Sequence, residues 1–200
     1  GAALRYQSAG ERPYVVPEGG SNGLGALGYV DAMAEVRAQL DALGAPPFDV
    51  VVHACGSGGT AAGIALGAST HRVAKALHVM AVCDDAPTFT RRIEDLIAAA
   101  KEYAPTWGHR LEGPVPWRVD DRFKGPAYAE TFDAQRQTML EAAQRAGLVL
   151  DPVYSGKAFH GLASLAKSGE LTGRVLFIHT GGLPGLLAQA PTFSKVLQDS

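Results

Sequence analysis

A short run of glycines and hydroxyls, Gly56-Ser57-Gly58-Gly59-Thr60, follows an apolar stretch and precedes small helix-forming residues. Glycine lets the backbone come close to an oxyanion, and the Ser and Thr side chains add hydroxyl donors. The free backbone N–H groups at the start of a helix also point toward such an anion. The pattern therefore predicts a phosphate-binding turn, and a tight strand-to-helix turn that binds nothing is the alternative.

The same residues also fit a dinucleotide-binding turn. Gly56, Gly58 and Ala61 match G-x-G-x-x-A, and Asp84 or Asp85 ends the next apolar run, where an acid would bind a ribose. Asp84 follows Gly56 by 28 residues, whereas the fingerprint places its acid about 20 residues on. An oxidoreductase is therefore the weaker hypothesis.

Two further glycine-rich turns follow strand-like runs. They are "PEGGSNGLG" at 17–25 and "HTGGLPG" at 179–185. Ligands of open α/β sheets bind beyond the carboxyl ends of the strands, so turns of this kind converge on one edge. The three turns together predict a polar, phosphate-bearing ligand larger than an ion.

The elements that position these turns are short β-branched runs that alternate with stretches of helical periodicity. Residues 48–54 form a continuous apolar run, which is typical of a strand buried on both faces of a parallel sheet. The alternation predicts one α/β domain over 1–200, with a doubly wound, mostly parallel sheet. The Gly- and Pro-rich stretch 104–130 is expected to be an irregular, functional loop. Strands are expected at 13–17, 48–54, 75–83, 148–152 and 174–180, and helices at 22–43, 59–68, 88–103, 132–146, 157–167 and 181–189.

Composition narrows the classes of function. The chain has 200 residues, a formal net charge of −2, 46% hydrophobic residues and a mean hydropathy of +0.02. No run of Lys or Arg stands out, which argues against a nucleic-acid surface or a polybasic membrane patch. The apolar runs are far shorter than the roughly 20 residues of a membrane helix. Because the first residues have neither a signal nor a transit layout, we expect a cytoplasmic location.

The cysteines and histidines indicate neither a disulfide nor a metal site. Cys55 and Cys83 are the two cysteines, and both lie within apolar runs, as buried thiols in a reducing compartment do. The six histidines show no metal-ligand spacing with each other or with the cysteines. His53 and His179 are expected to be hydrogen-bonded core residues rather than acids or bases.

Three parts of the chain carry a specific resemblance to a known family. They are "YVVPEGGSNGLGALGYVDA" (14–32), "HACGSGGTAAGIALG" (53–67) and the pair "LVLDPVYSGKAFHGLASL" and "VLFIHTGGLPGLLA" (148–165 and 175–188). They resemble the D-cysteine desulfhydrases and 1-aminocyclopropane-1-carboxylate (ACC) deaminases, which are fold-type II enzymes that use pyridoxal 5'-phosphate (PLP). The resemblance implies the large, PLP-phosphate-binding domain of such an enzyme, similar to that of the tryptophan synthase β chain.

The resemblance also implies roles for individual residues. The turn Gly56–Thr60 would hold the cofactor phosphate, and Thr180 would lie near the pyridine nitrogen. Tyr128 and Tyr154 would lie beside the substrate as catalytic residues, shuttling a proton or holding the carboxylate. Ser155 would contact the substrate.

Two positions distinguish the branches of this family. ACC deaminases resemble "DPVYEGK" and "H-Leu-GG", whereas this chain has Ser155 and Thr180 there. The desulfhydrase-like pair implies α,β-elimination of a small amino acid, most like D-cysteine to pyruvate, ammonia and sulfide. ACC deamination is the alternative within the family.

The family's Schiff-base lysine is the part that the resemblance does not supply. In the family it lies upstream of the segment matched by "YVVPEGGSN", and Lys157 is expected to be a helix-start residue instead. The resemblance thus implies the C-terminal part of the enzyme, with an N-terminal part or a partner polypeptide carrying that lysine, and a homodimer or higher assembly. A non-catalytic subunit that binds a phosphorylated ligand or serves assembly is the other alternative. The chain's lysines are Lys75, Lys101, Lys124, Lys157, Lys167 and Lys195.

Overall fold

The computed structural model describes residues 2–191 and 193. Four strands of this part form one parallel sheet. The strands are β1 Phe48–Cys55, β2 Ala74–Ala81, β3 Trp117–Asp120 and β4 Val175–Ile178. Their order in the sheet is β3-β2-β1-β4. In the centre of the sheet, Val51 on β1 pairs with Leu77 on β2 and with Leu176 on β4.

Helices precede, connect and follow these strands. The helices are α1 Ala2–Ser8, α2 Gly23–Ala42, α3 Gly59–Thr70, α4 Ala86–Tyr103, α5 Asp133–Ala146, α6 Ser155–Ser168 and α7 Leu183–Ala188. A short 3-10 turn at Glu18–Gly20 precedes α2, and another at Ala104–Trp107 follows α4.

The sheet is buried on both faces, which explains its continuous apolar strands. Side chains at alternate positions of β1 point to opposite faces. Val51 packs with helices α2, α3 and α4. Val50 and Val52 pack on the other face with α6, which in turn packs against α5. This layering confirms the predicted doubly wound, parallel α/β fold.

Helices α2 and α3 pack at backbone distance because α3 presents glycines to α2. A Cβ atom on Gly63 would lie 2.6 Å from the Cβ of Tyr29, and one on Gly67 would lie 2.9 Å from the Cα of Val30. A larger side chain at either position would force the helices apart. Both helices begin at turns that border the pocket described below.

Two predicted strands are wrong. Residues 13–17 form no strand, and Tyr14, Val15 and Val16 are 79%, 65% and 66% exposed. A β-branched run becomes a strand only where neighbours pack against it, and the described sheet offers this run none. Residues 148–152 are also irregular, because Asp151 binds the amides that follow it and turns the chain into α6.

The predicted irregular stretch 104–130 contains one strand that the sequence did not indicate. This strand, β3, has four residues and lies at the end of the sheet. Its pattern is too short to separate from the Gly- and Pro-rich residues around it. Helix α1 was also not predicted, and none of its residues is buried.

Candidate active site

A pocket of about 520 Å³ opens where β1, β2 and β4 reach their carboxyl ends. Gly19, Gly56 and Thr180 all line it, so the three glycine turns converge as the sequence predicts. The residues around the pocket are Glu18, Gly19, Tyr29, Ala54, Gly56, Ser57, Thr60, Cys83, Asp84, Arg92, Tyr128, Tyr154, Thr180, Gly181 and Gly182.

Most of the predicted site residues meet in this pocket. Gly58 and Gly59 are buried residues of the same turn and are not among the lining residues. Ser155 does not line the pocket either, and its position is described below. The predicted residues that line the pocket are Gly56, Ser57, Thr60, Tyr128, Tyr154 and Thr180.

The turn Gly56–Thr60 leads into helix α3. Gly58 is the N-cap of α3, has a φ of +101° and, as a glycine, offers no side chain to the helix amides. The amide of Gly59 donates instead to Ser21, and the first turn carries the positive end of the helix dipole. A Cβ atom on Gly56 would lie 2.9 Å from Cε1 of Tyr154, so only glycine leaves the present space there.

Ser21, which the sequence analysis did not single out, joins two of the turns. Its Oγ lies 2.7 Å from Oγ of Ser57 and accepts a hydrogen bond of 3.3 Å from the amide of Gly59. A Cβ atom on Gly59 would lie 2.8 Å from the same Oγ. Ser21 lies within the motif "GGSNG", but this sequence signal does not reveal which partner the hydroxyl binds.

Tyr128 and Tyr154 form a direct pair. Their hydroxyl oxygens are 2.5 Å apart, and their rings meet edge to face with centroids 5.9 Å apart. Burial, together with the bond to Tyr128, raises the pKa of Tyr154 above its ordinary value. Both effects favour the protonated phenol, so Tyr154 is neutral near pH 7.

Asp151 builds the turn that carries Tyr154. Its buried carboxylate accepts hydrogen bonds from the amides of Val153, Tyr154 and Ser155, at 2.8, 2.9 and 2.8 Å. The Ser155 hydroxyl donates to the same carboxylate at 2.5 Å and accepts from the Asp151 amide at 2.9 Å. The hydroxyl of Ser155 is therefore engaged inside the protein, and the structure does not bring it to the pocket with the tyrosines.

His179 fixes the third turn. Its Nδ1 accepts a hydrogen bond of 3.0 Å from the amide of Gly181, and its Nε2 lies 2.8 Å from the carbonyl oxygen of Val149. Acceptance at Nδ1 assigns the proton to Nε2, which donates to Val149. His179 is thus hydrogen-bonded as expected, although it is exposed rather than in the core.

His53 is buried in β1, and burial lowers its pKa to about 4. Its Nδ1 lies 2.7 Å from the carbonyl oxygen of Ala54, whereas among the described residues its Nε2 has no hydrogen-bond partner. His53 is thus a hydrogen-bonded core histidine, as expected, through one of its two ring nitrogens.

The pocket is also lined by Cys83 and Arg92, which the sequence analysis did not assign to it, and by Asp84, which it considered only as a ribose-binding acid. Arg92 on α4 forms an ion pair with Asp84 at 2.7 Å, and both side chains are about half exposed. Burial raises the pKa of Cys83, and it raises the pKa of Cys55 to about 12, so both are neutral thiols near pH 7. Both cysteines are free, as predicted. The helical periodicity of α4 turns Arg92 toward the pocket, and this periodicity was the sequence signal that could have indicated it.

None of the described lysines is among the residues that line this pocket. Lys157 lies near the start of α6, as predicted. It is fully buried, and its ammonium group binds three backbone carbonyls. Lys195 lies outside the described residues. Residues 2–191 and 193 contain no cluster of three His, Cys, Asp or Glu side chains able to hold a metal ion.

Comparison with known proteins identifies the family. The sequence profile described as "Pyridoxal-phosphate dependent enzyme" matches residues 2–181. The chain belongs to the pyridoxal-phosphate dependent enzyme family. This membership confirms the predicted resemblance, the class of enzyme and PLP as the cofactor of the family.

The chain is similar to named members of this family. It is 39% identical to a Thermotoga maritima protein provisionally named a 1-aminocyclopropane-1-carboxylate deaminase, over 92% of the chain and 56% of that protein. It is 38% identical to the mitochondrial bifunctional D-cysteine desulfhydrase/1-aminocyclopropane-1-carboxylate deaminase of Arabidopsis thaliana, over 96% of the chain and 47% of that protein. A crystal structure of an ACC deaminase homologue superposes with a TM-score of 0.82 at 35% identity, over 96% of the chain and 56% of that structure.

The chain spans about half the length of the curated relatives it matches. The described helices include none that is long and apolar enough to cross a membrane.

Proposed function

We propose that this chain is the C-terminal part, a single domain over residues 1–200, of a PLP-dependent lyase. The proposed substrate is a small amino acid, and the proposed reaction is most like that of D-cysteine desulfhydrase. The observation that carries the proposal is the convergence of three glycine turns and the Tyr128–Tyr154 pair on one pocket, in a member of this family.

The turn Gly56–Thr60 is the proposed cradle for the cofactor phosphate. Its proposed donors are the hydroxyls of Ser57 and Thr60 and the first-turn amides of α3 other than that of Gly59, which donates to Ser21. Arg92 at the pocket wall is paired with Asp84. Thr180, at the end of β4, is the proposed partner of the pyridine nitrogen. A hydroxyl there binds the nitrogen without a full negative charge, which suits elimination of a good leaving group.

When bound, PLP supplies the electron sink that stabilises negative charge at the α-carbon of an amino acid. In the overall reaction D-cysteine and water give pyruvate, ammonia and hydrogen sulfide. The Cβ–S bond breaks, and the sulfur leaves with its electron pair.

The tyrosine pair is proposed to act on the substrate as a hydrogen-bond donor. Each phenol has one proton, and one of the two protons is used in the Tyr128–Tyr154 hydrogen bond. The other O–H is proposed to donate a hydrogen bond to the substrate carboxylate or to the departing sulfur. Because its raised pKa keeps Tyr154 protonated near pH 7, it can donate such a bond and does not act as a base.

The remaining part of the enzyme, with the lysine that anchors PLP, is proposed to come from further residues of the same polypeptide or from a partner chain. Strand β4 lies at one end of the sheet, and large apolar side chains next to it are exposed. Val149, Leu183 and Leu187 are 51%, 55% and 66% exposed. We propose that this part packs against them, and that the assembled enzyme, meaning this chain with that part, is a homodimer or larger.

The test combines mass with activity. The assembled enzyme is treated with borohydride, which makes a PLP–lysine linkage permanent, and the intact mass of every chain is measured. We expect the adduct on a lysine outside residues 1–200, together with sulfide release from D-cysteine that is lost in the Tyr154→Phe variant. An adduct on a lysine within residues 1–200 would contradict the proposed division of roles.

Two alternatives have distinct outcomes in the same experiment. Relatives are named ACC deaminases, so release of ammonia from ACC without release of sulfide from D-cysteine would favour that activity. PLP or phosphate binding without any adduct or turnover would favour a non-catalytic subunit. Native mass measurement in parallel reports the assembly.

A further inference from the structure

Tyr128 lies on a loop that is irregular in the described structure. Residues 121–132, between β3 and α5, contain neither helix nor strand. Ala129, next to Tyr128, has a left-handed backbone with a φ of +61°, which is unfavourable for alanine. A loop of this kind does not hold a phenol in one place by itself, so its contacts with the rest of the protein decide where Tyr128 lies.

Lys157 binds the part of the loop that precedes Tyr128. Its Nζ donates hydrogen bonds to the carbonyl oxygens of Lys124 and Ala127, at 2.6 and 2.8 Å, and to that of Val82 just after β2, at 3.1 Å. An ammonium group has three N–H donors, so these three carbonyls use all of them. The loop is thereby joined to the sheet and to helix α6 through one side chain.

The loop is shaped to admit this ammonium group. Gly125 has a φ of +79°, and a Cβ atom there would lie 2.5 Å from the carbonyl oxygen of Glu130, 3.1 Å from Nζ and 3.2 Å from Cε of Lys157. Two glutamines also hold the loop. Gln135 donates to the carbonyl of Phe123 at 2.7 Å, and Gln189 donates to that of Ala129 at 2.9 Å.

The charge of Lys157 is costly where it lies. Its side chain is 0% exposed, and within the described residues it forms no ion pair with a carboxylate. An apolar side chain would avoid the desolvation of the ammonium group, but it would leave the carbonyls without their donor. The arrangement therefore favours geometry over stability.

We propose that Lys157 is a positioning residue that sets Tyr128 against Tyr154, a role that rests on the function proposed above. Tyr154 is the N-cap of helix α6, and Lys157 lies in the first turn of the same helix. The start of α6 thus carries one tyrosine directly and holds the loop of the other through the carbonyls of Lys124 and Ala127. The distance between the two hydroxyls, 2.5 Å, depends on this one helical turn.

A double-mutant cycle in the assembled enzyme tests the proposal. Lys157→Met keeps the length of the side chain and removes its donors, and Tyr128→Phe removes the hydroxyl that Lys157 is proposed to position. We expect Lys157→Met to lower kcat by roughly tenfold to a hundredfold, as a misplacement of about 1 Å does. In the Tyr128→Phe background the same change should cost less than about twofold, because the positioned group is already gone. Equal losses in both backgrounds would show a general structural role and overturn the proposal.

A second variant crowds the loop beside the same contact. Gly125→Ala places a methyl group against Lys157 and against the carbonyl oxygen of Glu130 in the same loop, and Gly169→Ala is its matched control. Gly169 has the same φ of +79° but no atom within 4 Å of the added Cβ. We expect Gly125→Ala to lower kcat. Gly169→Ala and Lys167→Met, the latter at an exposed lysine of α6, should leave kcat unchanged. Equal effects of the two alanines would mean that backbone strain, not Lys157, explains the result.

Hydrogen exchange gives a readout that does not depend on activity. In Lys157→Met the amides within 123–130 should exchange roughly tenfold faster or more, while those of β1 stay unchanged. Unchanged exchange in the loop would overturn the proposal. An inactive parent enzyme would instead overturn the proposed function, and exchange would still decide whether Lys157 holds the loop of Tyr128.

Discussion

The glycine turn Gly56–Thr60 and the loop 121–132 border the same pocket but are fixed by different means. The turn is fixed by what its residues lack, because missing side chains let Ser21 and Tyr154 approach the backbone. The loop is fixed by what other elements supply, namely donors on Lys157, Gln135 and Gln189. We therefore expect added side-chain atoms to disrupt the turn. Loss of hydrogen-bonding groups should disrupt the part of the pocket that carries Tyr128 and Tyr154.

The largest expected effect comes from removing Asp151, on the tyrosine side. Asp151→Ala leaves three buried amides and the Ser155 hydroxyl without their acceptor. We expect a loss of about 3–4 kcal/mol in the free energy of unfolding, since bonds to a charged group are worth about 1.5–3 kcal/mol each and are not additive. Urea denaturation measures it. Asp95→Ala, at an exposed position of α4, is the control and should stay within about 0.5 kcal/mol of the parent.

The next effect concerns His53, on the strand that leads into the glycine turn. Its pKa is about 4 in the folded protein, against 6.5 for an ordinary histidine. The unfolded chain therefore binds the proton more readily, so the stability from this group is complete above pH 6.5 and is lost as the pH falls toward 4. The difference amounts to about 3 kcal/mol, at 1.36 kcal/mol per pKa unit.

Comparison of the parent with His53→Phe isolates that contribution. The unfolding free energy of the parent should decline more steeply between pH 7 and pH 4 than that of the variant. Parallel curves for the two proteins would show that His53 is not held neutral by burial.

A smaller effect is expected from adding one methyl group to the glycine turn. Gly59→Ala places a Cβ atom 2.8 Å from Oγ of Ser21, whereas Gly28→Ala on α2 meets nothing within 4 Å. Gly59→Ala should weaken PLP or phosphate binding about tenfold, which corresponds to about 1.4 kcal/mol. Gly28→Ala should leave binding unchanged and stabilise the protein by up to about 1 kcal/mol. Equal binding by both variants would mean that the turn tolerates added atoms and would weaken the comparison.

The smallest effect is expected from Ser21→Ala, which removes a hydroxyl that contacts the glycine turn instead of adding atoms to the turn. The change breaks the contacts of Ser21 with Ser57 and with the amide of Gly59. It should cost about 1 kcal/mol of stability, the net value of an ordinary hydrogen bond. Calorimetric titration with PLP should show a loss of only a few-fold. Ser8→Ala, at an exposed residue of α1, should change neither quantity.

The same comparison explains what could be predicted from the sequence. The glycine turn could be predicted because its chemistry lies in consecutive residues, and the central strands could be predicted because burial on both faces makes them continuously apolar. The residues that hold the loop of Tyr128 could not be predicted from the sequence, because Lys157 contacts carbonyls 30 to 75 positions away in the chain. A carbonyl partner leaves no trace in residue type, so no pattern in the sequence indicates it.

The errors in the prediction have a common cause. Residues 13–17 have a strand-like composition but no neighbour in the described sheet, whereas β3 is only four residues long and pairs with β2. Strand formation depends on such neighbours more than on local preference. The resemblance implies that Ser155 contacts the substrate; in this structure its hydroxyl binds Asp151, and the substrate contact stays a prediction. Which way a side chain points at a helix start is decided by capping geometry, which composition does not encode.

The close packing of α2 against the glycines of α3 affects how far the pocket can move. Because Gly63 and Gly67 bring the two helices into backbone contact, the turns at their starts rest on a single stiff support. Close-packed backbones resist sliding, so the separation of these two turns cannot fluctuate much without bending a helix. The proposed phosphate cradle should therefore keep its width whether or not an anion is present, so that binding an anion would cost the protein little conformational entropy.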